Sequence, residues 1–165
     1  MHVQRHDYAR YSKRAGGAAI GDATHEAVWQ QVTSIGGENG YYFLDFLWRT
    51  RELMDAAVGG GGLTRGRSRP QHVQVGDRID TWEVIGVDPG RRLALRFGMK
   101  APGAGALEFE VQPVTPQRTR IAATAFWEPR GIAGLAYWYA LVPVHRVLFE
   151  GLTTEILRRA AAAGR

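Results

Sequence analysis

Cysteine is absent from the 165 residues, which excludes disulfides, thiolate metal sites and cysteine nucleophiles. Lysine is nearly absent as well: Lys13 and Lys100 stand alone, and arginine carries the rest of a net charge of +5. No stretch reaches the ~18 continuous apolar residues of a spanning segment, so no membrane partner is expected. The opening MHVQRHDYARYSKR is polar and basic with no apolar run behind it. That is neither the pattern of a secretory signal nor that of an anchor, and a cytoplasmic location is the expectation.

What is present suits one globular domain over 1–165, with 1–12 as a flexible arm. The hydrophobic fraction of 45% with 10% aromatic is that of an ordinary soluble core. Arg65, Arg67 and Arg69 cluster, as do Arg5, Arg10, Lys13 and Arg14. Arginine grips phosphate in a planar fork, but charge by itself speaks to solubility and non-specific contact. Nucleic acid is therefore not expected as a partner. The run GGGGLTRGRSR lacks the Gly-Lys-Ser/Thr ending of a phosphate loop and precedes no amphipathic helix, so it reads as a connection. The histidines (His2, His6, His25, His72 and His145) have no ligand-like spacing, and neither metal nor cofactor is expected.

Hydrophobic periodicity then gives the order of elements. A helix capped by Asp22 carries Val28, Trp29, Val32 and Ile35 at helical spacing and stops at Gly36-Gly37. A second, YYFLDFLWRTRELMDAAV, opens after Gly40, making a two-helix hairpin near the N-terminus. A short edge strand is expected in 8–20 and another in 63–70. From 79 onward the period becomes that of strands. Ile79 to Val87 is rich in β-branched residues and runs into Asp88-Pro89-Gly90, a turn sequence. Leu93, Leu95, Phe97 and Met99 share one face of the next strand, Leu107, Phe109 and Val111 one face of another, and Ile121, Ala123, Ala125 and Trp127 one face of a last. On the opposite faces Arg96 and Glu108 are expected to pair across strands, both wet.

Toward the C-terminus comes GIAGLAYWYALVPVHRVLFEGLTTEILRR, in which Trp138, Leu141, Val142, His145, Leu148, Phe149, Leu152 and Ile156 share a helical face. Pro143 either starts the main helix or kinks it. Two helices, a meander of strands and a returning helix make an α+β fold. A curved antiparallel sheet wrapped around a long C-terminal helix is a helix-grip arrangement, and it leaves a cavity between its layers.

Several stretches of this text, among them GGENGYYFLDFLWRTRELMD, GDRIDTWEV, MKAPGAGALEFEV and AFWEPRGIAGLAYWYALVPVHRVLF, together resemble domain of unknown function 2867. The similarity runs from about Trp29 to Leu157 with the motifs in the same order. Such domains look like members of the START and polyketide-cyclase (SRPBCC) superfamily. The resemblance implies a START-like helix-grip fold around a small, mostly apolar ligand. It also implies a nucleotide-binding reductase-like partner, which would here be a separate chain, since no G-x-G-x-x-G precedes a helix.

Within that frame His145 is the first candidate. Imidazole is the side chain best suited to moving a proton near neutral pH, although a histidine on an apolar face can equally be held by a backbone carbonyl. Asp80 and Trp82 share one strand face and Thr81 and Glu83 the other, so either Asp80 or Glu83 lines the cavity and orients His145. The ligand-binding surface is expected from Trp48, Trp82, Phe97, Met99, Phe126, Tyr137 and Trp138. Three functions follow from these residues. The leading one is binding of a small, largely apolar molecule. An enzyme of cyclase, dehydratase or isomerase type would use His145 in the same cavity. The third is an interaction module for a separate reductase or for nucleic acid. A homodimer through the sheet face or an edge strand is a further partner the pattern allows.

Overall fold

Alternating inward apolar positions on four consecutive strands require one antiparallel sheet with a single core face, and this is the arrangement observed. The computed structural model describes residues 5–36, 72–98 and 100–164. In chain order these form α1 (Arg5–Tyr8), β1 (Lys13–Gly21), α2 (His25–Thr33), β2 (Arg78–Ile79), β3 (Trp82–Asp88), β4 (Arg92–Phe97), β5 (Gly103–Thr115), β6 (Arg118–Pro129) and α3 (Gly131–Ala163). The sheet has six strands in the order β1-β6-β5-β4-β3-β2, every neighbouring pair antiparallel. One long C-terminal helix crosses it and one helix near the N-terminus packs beside that helix. The fold is α+β of helix-grip type. The second helix of the expected hairpin, the strand expected in 63–70, Trp48 and Met99 lie outside the described residues.

The core sits between the sheet and the helices. Leu93, Leu95, Leu107, Phe109, Val111, Ile121 and Ala123 meet Val28 and Val32 of α2 and Leu148, Phe149, Leu152 and Ile156 of α3. Full burial of each large side chain here contributes about 1.5–3 kcal/mol. α3 follows the expected face but is longer than its apolar stripe required. It runs unbroken through Pro143 from Gly131, for about 50 Å at helical rise. Pro143 is on the exposed side, and so is Tyr139, the residue whose carbonyl a proline there deprives of its helical donor.

Strand β1 determines how closely that helix can approach. Its inward positions Ala15, Gly17, Ala19 and Gly21 pair with Ala125, Ala123, Ile121 and Thr119, and all four are small. A Cβ at Gly17 would fall 2.6 Å from the backbone nitrogen of Glu150. Helix backbone thus rests directly on strand backbone at this end of the sheet.

Four expectations are corrected. The cap of α2 is Thr24, whose Oγ1 accepts from the Ala27 N–H at 3.3 Å, rather than Asp22. The segment expected as one strand from Ile79 is two: Asp80 and Thr81 form the turn between β2 and β3, and Asp80 takes a left-handed φ of 53°. Within the arm expected as flexible over 1–12, the described part is held at Tyr8, which is 1% exposed and packs on the outer face of the sheet with Ile85, Ala94, Ala106 and Phe126. Arg96 does not pair with Glu108, because the register sets Arg96 opposite Ala106 and Glu108 opposite Ala94. Arg96 pairs instead with Glu83. Glu108 is 2% exposed beneath Tyr8, whose hydroxyl donates to it at 2.5 Å, while Arg92 Nη1 donates to that hydroxyl at 2.8 Å. Alternation placed Arg96 and Glu108 on the outer face correctly but could not foresee that α1 covers Glu108.

At the far end of α3, Glu155 accepts from Arg158 Nε and Nη2 at 2.7 Å each and from Arg159 Nε at 2.8 Å. The Arg158 hydrogen bond, helped by Arg159, holds the Glu155 carboxyl at about 2 against an ordinary 4.5. A depressed folded-state value favours the native state above the ordinary value, and the benefit disappears as pH falls through the folded one. Glu155→Gln should therefore flatten the loss of melting temperature between pH 4.5 and pH 2. An acid limb superimposable on that of the parent would show that the pair adds no stability.

Candidate functional site

Where β1 lets α3 down onto the sheet with small residues, the other strands hold it off with aromatic ones. Trp82 of β3, Phe97 of β4 and Trp127 of β6 stand on the inner face in sequence across the sheet. Trp82 and Phe97 meet edge to face at 5.3 Å, and Phe97 and Trp127 at 6.2 Å. Tyr137 of α3 continues the line, 5.4 Å from Trp127. Below it on the helix, His145 lies between Trp138 at 5.1 Å and Phe149 at 5.5 Å. Between these two layers is a partly open cavity of about 50 Å³. Leu107 and Ala125 form its floor, and Leu141 and Leu148 complete the helix side.

The position of Trp127 depends on two glycines. Gly103 and Gly105 sit beneath the indole, where a Cβ would come within 2.6 and 3.0 Å of its ring. The indole nitrogen donates to the Gly134 carbonyl at 3.3 Å, tying the end of β6 to the first turn of α3. A Cβ at Gly134 would in turn meet the Pro102 carbonyl at 2.2 Å. The Gly-Ala-Gly of β5 was the available sequence signal, since alternate glycines on an inward strand face mark room for a large neighbour.

The structure brings together Trp82, Phe97, Tyr137, Trp138 and His145 on the cavity wall. Phe126 borders the cavity, but its ring is on the opposite face of the sheet, edge-on to Tyr8 at 5.4 Å. Trp127, Leu141 and Phe149 line it without having been in the expected set. Neither carboxylate candidate is at the wall. Asp80 is buried in the β2–β3 turn beside Gly36, and Glu83 faces outward with Arg96, its side chain 40% exposed. The reason is the turn: once Asp80 and Thr81 leave the strand, Trp82 becomes its first inward residue and Glu83 its first outward one.

Chemically the wall is an aromatic box with an imidazole, 9% exposed, as its titratable group besides the Tyr137 phenol. No acidic side chain lines it among the described residues. The described residues also hold no group of three His, Asp or Glu side chains fit to bind a metal ion.

Solved structures with the same architecture include the Zhui aromatase/cyclase from Streptomyces sp. R1128, at 19% identity over 93% of this chain and 96% of that one, with a TM-score of 0.52. Truncated norcoclaurine synthase from Thalictrum flavum matches at 11% identity over 90% and 92%, TM-score 0.55. A conserved protein from Geobacillus kaustophilus matches at 14% over 92% and 97%, TM-score 0.53. At these identities the likeness shows the fold. No curated protein sequence matches. The model of the family described as "Protein of unknown function (DUF2867)" matches residues 9–152, and the chain belongs to that family.

Proposed function

We propose that this protein binds a small, largely apolar molecule between the sheet and α3, with His145 as its polar contact. The observation that carries the reading is the wall itself: aromatic on both layers, partly open, and provided with a buried imidazole. Ligand pockets combine an apolar lining with a few placed polar groups in this way. The void of about 50 Å³ holds little more than a water as it stands. A ligand of ring size must therefore displace side chains, and the half-buried Phe97, Tyr137 and Leu141 are the ones with room to swing.

Ring-sized aromatic probes such as indole and 1-naphthol should raise the melting temperature and quench tryptophan fluorescence. Leu141→Trp, which fills the opening from a half-buried position, should abolish both effects while the variant stays folded. No thermal shift with any probe, together with no small molecule in the native mass spectrum of the purified protein, would end the proposal.

An enzyme reading stands beside it because His145 can carry a proton at the cavity wall with the Tyr137 hydroxyl as a polarising group. Fold relatives named as a cyclase and a synthase support keeping it. That no acidic side chain lines the wall among the described residues favours binding. On the enzyme reading His145→Ala removes turnover and keeps ligand affinity within a fewfold. Loss of affinity without any turnover in the parent would assign the imidazole to binding alone.

A further inference from the structure

The inner face of β5 loses its side chains at the cavity end. Leu107, Phe109 and Val111 fill that face further along, whereas its first two inward positions are Gly103 and Gly105. Gly105 lies opposite Trp127 in the β5–β6 register, and the indole takes the space that the two glycines leave. Phe97, Tyr137 and Leu141 are half-buried, but Trp127 is 4% exposed. It is held from three sides: glycine backbone beneath, the Gly134 carbonyl accepting from its N–H, and the rings of Phe97 and Tyr137 against it. A molecule entering the cavity pushes the half-buried side chains outward and stops at this indole.

We infer, on the reading that the cavity binds a largely apolar molecule, that Trp127 is the residue limiting the length of ligand it admits. The backbone of Gly103 and Gly105 beneath the ring is then a latent subsite, which a smaller residue at position 127 opens. Overpacking against a wall that cannot shift is costly, so the length of a fused ring system is what this wall discriminates. Ring compounds of about indole size are admitted, and longer ones are refused. A tryptophan that served the core alone would change stability when replaced and leave the preference between ligands as it was.

Equilibrium dialysis of the intact protein against indole and against carbazole, which is one fused ring longer, tests this. The parent should favour indole at least about tenfold, the scale on which apolar pockets discriminate size. Trp127→Leu should shift the ratio of the two affinities toward carbazole by at least about tenfold, and Trp127→Phe, which keeps a ring and a more filled core, by less. Adding Gly105→Val to Trp127→Leu refills the space from the opposing strand and should return the preference to indole. A parent that binds neither compound overturns the binding reading and the size limit with it. A parent that takes both equally, or a ratio that neither replacement of Trp127 moves in folded protein, overturns the size limit alone. So does a ratio that Gly105→Val fails to restore.

Discussion

Gly17→Val should cost at least about 3 kcal/mol, at the upper end of what overpacking does, because the group it meets cannot step aside. The new methyls would enter space occupied by the backbone of α3, with Glu150 N at 2.6 Å and the Phe149 carbonyl carbon at 2.8 Å from the Cβ alone. A flexible side chain could rotate away; a helix backbone must move as a unit. The helix would lift at the one end of the sheet where it rests on small residues. That lift would carry Phe149, and the neighbouring His145, away from the cavity floor. Two measurements check it: urea unfolding, for the loss of stability, and probe binding, which should weaken even in molecules that remain folded. Gly17→Ala should do the same in smaller measure. A valine variant within about 0.5 kcal/mol of the parent, the usual range for uninvolved surface changes, would mean that β1 does not set the height of α3.

Arg92→Met should cost about 3–5 kcal/mol, the usual result of removing one partner from a buried ion pair. Glu108 is 2% exposed, and Arg92 Nη1 lies 3.6 Å from its Oε2. Without it the carboxylate keeps the Tyr8 hydroxyl and loses the Arg92 charge. Tyr8→Phe is milder, about 1–3 kcal/mol, because it leaves an acceptor short of one donor. It also changes the alkaline limb. Burial first, then the hydrogen bond and charge of Glu108, push the Tyr8 phenol well above its ordinary 10.0, with Arg92 opposing. A raised value means that the native state prefers the protonated phenol. Its contribution is thus complete below pH 10 and is lost as pH climbs beyond it. Tyr8→Phe should flatten that decline. The double variant Arg92→Met with Glu108→Leu should recover much of the single loss, since an apolar replacement for a buried pair is often neutral. Arg92→Met that unfolds with the parent would show that the cluster is solvated and carries no stability.

Both predictions lie at places where the one-dimensional pattern fell short. Alternation put Glu108 on the outer face, which is where it is. It could not tell that residues a hundred positions earlier, around Tyr8, fold back over that face and turn a wet surface into a second small core. The same holds for Asp80. Its neighbours read as one continuous strand, and nothing in their composition announces a residue in left-handed conformation that breaks the run. The carboxylate thereby left the candidate site, while Trp82 entered it with its facing settled. Trp127 was legible as inward from Ala123 and Ala125, but not as a cavity wall, because that needed Gly103 and Gly105 in register beneath it.

The residue pattern by itself determined the α+β order, the faces of β4, β5 and β6, the apolar stripe of α3 and the presence of His145 on it. These depend on periods of two and 3.6 residues, which any chain segment carries locally. Which side chains meet was decided only in three dimensions. The height of α3 over the sheet, the cavity between aromatic layers and the covering of Glu108 all arise from contacts between residues far apart in sequence. Local periodicity orients a side chain but does not choose its neighbour.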